Sequence, residues 1–96
     1  MIIVEVNDEA EYVDIQNVSK TPVELANWRL YSEEGTQGCV LNGVIEPNEK
    51  LRIWARFQDA DKEGFNCGYD TDIWDDSEPD PAVLYDPSGV EVSRMD

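Results

Sequence analysis

The residues best suited to chemistry in this chain lie in an acidic stretch from Asp59 to Asp70. Side-chain oxygens recur there at the spacing of a calcium loop, with a glycine where such a loop must bend. The carboxylates concerned are Asp59, Asp61, Glu63 and Asp70. Two of these side chains differ from the usual pattern, and no helices are predicted beside the loop. The stretch is therefore a candidate Ca²⁺ site, and the alternative, which we favour, is an acidic loop that water solvates.

A second acidic cluster follows directly and matches no loop spacing typical of metal sites. Its members are Asp70, Asp72, Asp75, Asp76, Glu78 and Asp80. We interpret this cluster as surface charge, unless the two acidic clusters meet around one ion. Apart from the possible Ca²⁺, the sequence indicates no cofactor.

Two cysteines, Cys39 and Cys67, form no CxxC motif, and the chain has no histidine to complete a zinc site with them. They are therefore either a disulfide or two free thiols. A disulfide would close a loop of about 29 residues and stabilise the fold by about 3.5 kcal/mol in the chain-entropy model. We predict the disulfide, which requires an oxidising compartment.

Arg52, Trp54 and Arg56 alternate with apolar residues and so lie on one face of a predicted strand. Arginine and tryptophan are frequent in binding hot spots, and this face could receive acidic side chains of a partner. We predict these three residues as a partner-binding face. The alternative is that Trp54 packs under a loop while the arginines pair with local acids.

The charge balance excludes several classes of function. The chain has 22 acidic residues against 7 basic ones, and its net charge is −15. A field of this sign repels phosphate, which argues against nucleic acid and anionic membranes as partners. No apolar run exceeds four residues, so no membrane span is predicted. Adaptation of the surface to high salt would explain the charge without any partner.

Catalysis is also disfavoured. Only carboxylates could act as general acids or bases near neutral pH, because the sequence contains no histidine. A chain of 96 residues needs its core for folding and leaves little room for a pocket that could shift the pKa of a carboxylate. We predict that the protein is not an enzyme.

The elements that must position these residues are strands, since the hydrophobic period is two and turn residues recur at short intervals. Eight strands are predicted, at residues 2–6, 11–18, 28–32, 39–41, 51–56, 73–74, 82–86 and 90–94. The segment from Gln58 to Asp72 is predicted as a long acidic loop. This pattern favours an all-β fold, an antiparallel β-sandwich of two sheets.

Alternation within these strands also predicts the core and one turn. The inward residues are Val13, Ile15, Trp28, Leu30, Leu51 and Ile53. Arg29 and Tyr31 are predicted to face outward from their strand. Asn17 is predicted to satisfy backbone groups at the turn that follows the second strand.

Five segments occur in the order and spacing of a known family. They are Glu11-Tyr-Val-Asp-Ile-Gln-Asn17, Asn27-Trp28-Arg-Leu30, Leu51-Arg-Ile-Trp54-Ala55, Ile73-Trp74 and Leu84-Tyr-Asp-Pro-Ser-Gly89-Val-Glu-Val92. Together they resemble a lamin tail domain, and the chain looks like a prokaryotic member of that family. The resemblance implies one immunoglobulin-like domain over residues 1–96, with no catalytic residue.

The resemblance also implies a class of role. Bacterial domains of this kind are usually modules of secreted or surface proteins. We therefore expect a non-catalytic interaction or attachment module that belongs to a larger extracytoplasmic protein and meets a protein or cell-surface partner. The alternative is a structural domain whose acidic loops are ordered by calcium.

Overall fold

The computed structural model describes residues 1–33, 37–69 and 80–95. Ten strands and one 3₁₀ turn, Phe57–Asp59, account for its regular structure in those ranges. The strands are β1 (Ile2–Asn7), β2 (Tyr12–Gln16), β3 (Val23–Glu24), β4 (Arg29–Ser32), β5 (Gln37–Val40), β6 (Val44–Ile45), β7 (Lys50–Arg56), β8 (Phe65–Tyr69), β9 (Ala82–Tyr85) and β10 (Glu91–Met95).

The strands form two four-stranded sheets and one short pair. The first sheet has the order β1-β2-β7-β8, the second has the order β10-β9-β4-β5, and β3 pairs with β6. The predicted immunoglobulin-like β-sandwich is thus confirmed. Pairing is antiparallel throughout the described strands except between β7 and β8, which run parallel.

Three described strands were not predicted, and two of them are very short. Strands β3 and β6 contain two residues each, too few to show alternation. Strand β8 lies inside the segment predicted as a long acidic loop, so that prediction was wrong for Phe65–Tyr69. Phe65, Cys67 and Tyr69 pack against the core and alternate with Asn66 and Gly68, so the period-two signal was present but was overlooked beside the acidic residues. The predicted strand at 73–74 falls outside the described residues.

The core fills the space between the two sheets with the alternate residues that the sequence indicated. In the first sheet Val13 lies opposite Ile53, and in the second Leu30 lies opposite Leu84. All four of these side chains are completely buried, as is Ile15. Transfer of such side chains from water is the main stabilising contribution to a domain of this size.

Two of the predicted core residues lie at its margin instead. Trp28 and Leu51 are partly buried and pack against the core cluster. Trp28 precedes β4, because Asn27 has a positive φ of 69° and the Trp28 amide closes a turn by donating to Leu25. The side chain therefore packs against the edge of the core and stays partly exposed.

Contacts between the sheets fasten the sandwich at both sides. A disulfide joins Cys39 of β5 to Cys67 of β8, with the two Cα atoms 5.5 Å apart. The hydroxyl of Tyr69 donates to the carbonyl of Gly38 on the same side. On the opposite side, the Ile3 amide donates to Ser93 Oγ at 3.0 Å.

Candidate functional site

An open cleft lies on the outer face of the second sheet, where β4 and β9 run side by side. Its volume is about 560 Å³, and it is lined by Asn27, Arg29, Tyr31, Tyr85, Asp86, Pro87, Ser88 and Gly89. We call it the tyrosine–arginine cleft. Its side chains belong to two neighbouring strands and to the turn that follows β9, so the sheet itself sets their spacing.

Strand register decides which side chains meet on this face. Tyr85 lies opposite Arg29 across β9 and β4, and Arg29 lies opposite Val40 across β4 and β5. The three therefore form one row across three strands. The rings of Tyr31 and Tyr85 meet edge to face, with centroids 6.4 Å apart and planes at 83°. Edge-to-face contact is one of the two preferred arrangements of an aromatic pair.

Arg29 differs from every other arginine of the described chain because it forms no ion pair there. A carboxylate lies within ion-pair distance of each of the other arginines, Arg52, Arg56 and Arg94. The same is true of Lys62. Arg29 has none among the described residues, although the chain has 22 acidic side chains. Arg29 is exposed, and its guanidinium carries five N–H donors that no described carboxylate occupies.

Asp86, the carboxylate that lines the cleft, stabilises the turn after β9 through one of its two oxygens. Asp86 Oδ1 accepts bonds from Ser88 Oγ at 2.6 Å, from the Ser88 amide at 2.9 Å and from the Val90 amide at 3.0 Å. The Ser88 hydroxyl first, and then these amides, lower the pKa of Asp86 below its ordinary value of 3.8. Asp86 is thus an ionised turn cap at neutral pH.

A match to a family model covers the whole chain. The model describes the lamin tail domain, and it matches residues 1–96. The chain belongs to the lamin tail domain family. Among curated proteins, none matches it significantly. In the described ranges of this lamin tail domain, no helix is long and apolar enough to cross a membrane.

The predicted partner face on β7 of this lamin tail domain is largely occupied by internal contacts. Arg52 forms a bidentate pair with Asp14, with Nε–Oδ1 at 2.8 Å and Nη2–Oδ2 at 3.0 Å. Its Cζ also lies 3.8 Å from the ring centroid of Tyr12. The Asp14 carboxylate accordingly raises the pKa of Arg52 further above its ordinary value. This is the arrangement that the alternative interpretation described.

Trp54 and Arg56, the other two predicted face residues, are also engaged. Trp54 is only 8% exposed, and its Nε1 donates to the Glu63 carbonyl at 3.0 Å. Lys62 covers the same ring, with Nζ 4.6 Å from its centroid. Arg56 Nη2 donates to the Ala10 carbonyl at 3.0 Å. The loop before β8 therefore covers the tryptophan, and Arg52 remains the most accessible of the three.

The predicted metal residues do not converge in the described part of the chain. Asp59 is buried and contacts Lys62 Nζ at 3.0 Å and Arg56 Nε at 3.6 Å. Asp61 and Glu63 are exposed, and Asp70 lies outside the described residues. No group of three metal-ligating side chains occurs within the described ranges. Of the second acidic cluster only Asp80 is described, and it is buried against the Ser32 hydroxyl at 2.8 Å.

Sequence reasoning identified two of the side chains that line the cleft. Alternation in β4 indicated that Arg29 and Tyr31 face outward, and they do. Tyr85, which lines the cleft, and Val40, which lies beside it, were not recognised, because only their pairing with Arg29 places them on this face. The missing information was the strand order, because β9 is far from β4 in sequence and no local pattern shows that they are neighbours.

Proposed function

We propose that this lamin tail domain is a non-catalytic protein-interaction module that meets its partner at the tyrosine–arginine cleft. The observation that carries the proposal is Arg29, exposed between Tyr85 and Val40 without a carboxylate partner in the described chain. Arginine and tyrosine are the residue types that most often dominate binding energy at interfaces. Family membership supports the general role, since immunoglobulin-like domains of this family often mediate protein interaction.

The composition of the cleft supports binding rather than chemical conversion. Its carboxylate, Asp86, is already committed to the turn by three hydrogen bonds. A general base needs a group that can exchange a proton near neutral pH, and the lowered pKa of Asp86 makes it a poor one.

We further propose that the domain works outside the cytoplasm, as one module of a larger secreted or surface protein. The Cys39–Cys67 bond supports this location, because disulfides persist mainly in oxidising compartments. The calcium-stabilised alternative has less support, since the carboxylate of Asp59 contacts two cations of the chain instead of an open site.

Affinity capture with matched variants tests the interaction role. The immobilised domain is exposed to the cell-surface protein fraction of its source in three forms: unchanged, Arg29→Glu and Lys20→Glu. Both substitutions replace an exposed cation, unpaired in the described chain, by an acid, so the change in net charge is the same. We expect a specific partner to be lost with Arg29→Glu and retained with Lys20→Glu. Capture of the same proteins by all three forms would refute the proposed site.

A further inference from the structure

We propose that the partner places an acidic side chain, flanked on each side by an apolar one, against the row formed by Tyr85, Arg29 and Val40. This inference rests on the proposed function and names the chemistry recognised by the cleft together with Val40, which lies beside the cleft on β5. It follows from the charge of Arg29, from the side chains on either side of it and from the field of the whole protein.

The central position of the row calls for a carboxylate. Among the described acids, Asp86 directly follows Tyr85 and Glu91 lies opposite Tyr85 on β10, and each of the two accepts hydrogen bonds from other donors. Asp86 accepts from the turn after β9, and Glu91 pairs with Arg94 at 2.8 Å. A guanidinium presents a planar fork of donors that matches a carboxylate, and such charge-assisted bonds are stronger than neutral ones. With no ion-pair partner among the described residues, Arg29 can bind an acid that the partner supplies.

The flanking positions call for apolar groups. Neighbouring strands lie about 4.8 Å apart, so Tyr85 and Val40 each stand about one strand spacing from Arg29. Val40 is 56% exposed, which leaves its methyl groups uncovered in the free protein. Tyr85 presents part of its ring beside Tyr31. Two apolar side chains of a ligand would cover these surfaces and exclude water from the ion pair between them.

The net charge of −15 restricts the rest of the partner. A strongly acidic protein would be repelled at long range, so the acid that binds Arg29 must lie in a segment that is otherwise neutral or basic. A basic segment without that acid would be attracted to the surface in general but would have no reason to select the cleft. These two cases make different predictions for simple peptides.

Three blocked tripeptides, each N-acetylated and C-amidated, provide the test: Leu-Glu-Leu, Leu-Gln-Leu and Leu-Lys-Leu. Each is titrated into the ¹⁵N-labelled domain while the backbone amides and the arginine Nε–H signals are followed by NMR. We expect Leu-Glu-Leu to shift the Arg29 Nε–H signal and the amides of Val40 and Tyr85. It should bind about fivefold more tightly than Leu-Gln-Leu. In Arg29→Gln this preference should disappear, whereas Lys20→Gln should keep it.

Equal affinity for the Glu and Gln peptides would overturn the inference, as would tighter binding of Leu-Lys-Leu at the same amides. Absence of any shift at the cleft with Leu-Glu-Leu would overturn it as well. If partner capture still depends on Arg29 in any of these cases, the interaction role stands and only the chemistry of the ligand is wrong. If capture does not depend on Arg29, the proposed function itself fails.

Discussion

Asn17 shows how one buried polar side chain can organise a turn. It is completely buried, and its Nδ2 donates to the carbonyls of Thr21 and Ile45, both at 2.9 Å. Its Oδ1 accepts from the Ser19 amide at 3.0 Å. The predicted role of this residue in satisfying backbone groups is confirmed, and it extends to β6 as well as to the turn. The side chain thereby ties the end of β2 to a strand distant in sequence.

Replacement of Asn17 by alanine should lower the free energy of unfolding by about 2 to 4 kcal/mol, because two carbonyls and an amide lose their partner. Urea denaturation followed by tryptophan fluorescence measures the loss. Asn42→Ala is the control, since Asn42 is exposed and bonds only the neighbouring Gly43 amide in the described chain. It should cost about 0.5 kcal/mol or less. Similar losses in both variants would contradict the assigned role of Asn17.

Arg29 and Arg52 both lie on the outward face of a sheet. Their cross-strand neighbours determine whether each of them forms an ion pair. Arg52 lies opposite Asp14 and is bound by it. Arg29 lies opposite Tyr85 and Val40, neither of which carries a charge. Arg52 therefore stabilises the fold, whereas Arg29 has no ion-pair partner in the described chain and can bind a ligand.

At the scale of elements, the segment between the 3₁₀ turn and β8 is defined by how closely it passes β7. Gly64 has a φ of 126°, and a Cβ at this position would lie 2.2 Å from the carbonyl oxygen of Arg52. A side chain would clash with this backbone and would also be strained at that φ. The close approach allows the loop to cover Trp54, whose indole bonds the Glu63 carbonyl.

Gly64→Ala should therefore destabilise the protein by about 2 kcal/mol or more and expose Trp54, since the loop must move away from β7. A red shift in tryptophan emission and a lower urea midpoint would report this. Gly43→Ala is a matched control, because Gly43 also has a positive φ, of 100°, but nothing lies within 4 Å of its added carbon. It should cost about 1 kcal/mol and leave the emission unchanged. Equal effects of the two substitutions would show that the close contact is unimportant.

The Cys39–Cys67 bond fastens this same segment, through β8, to the second sheet. Closing a loop of about 29 residues should contribute about 3.5 kcal/mol to stability in the chain-entropy model. Addition of a reductant should therefore lower the melting temperature of the unchanged protein and have no effect on the Cys39→Ser/Cys67→Ser variant. Alkylation followed by mass spectrometry gives an independent readout. Two alkylated cysteines in protein purified without reductant would remove the bond and its support for an extracytoplasmic location.

At the scale of the whole molecule, self-repulsion from a net charge of −15 opposes the compact state. Salt should relieve this repulsion by screening, since the Debye length is about 10 Å at 0.1 M. Within the acidic stretch, Asp59 is already compensated by Lys62 and Arg56, while Asp61 and Glu63 face water. The stabilisation should therefore follow ionic strength and not the identity of the cation.

Thermal melts in sodium chloride and in calcium chloride at matched ionic strength test this expectation. We expect the same rise in melting temperature with both salts, and Asp59→Asn should not change the difference between them. A ligand that binds only the folded state would instead raise stability with its own concentration. A larger rise with millimolar calcium that Asp59→Asn abolishes would establish the calcium-stabilised alternative.

The sequence by itself determined the fold class, the family and most of the core. Alternation with period two is a local property, so residues such as Val13, Leu30 and Ile53 could be assigned to the buried face without knowledge of their partners. Alternation predicted the burial of Trp28 and Trp54 less accurately. Trp28 lies at the margin because a turn ends just before β4, and Trp54 is covered from outside its sheet by a loop.

Only the tertiary structure decided which charged and aromatic residues form the candidate site. Periodicity tells which face a residue occupies, but it does not tell which strand lies beside it. Arg52 was predicted as a partner-binding residue from the alternation within its strand, but in the fold it lies opposite Asp14. Arg29 instead lies opposite Tyr85 and Val40. Strand order depends on how the two sheets best bury their common core, a property of the whole chain that no local segment contains.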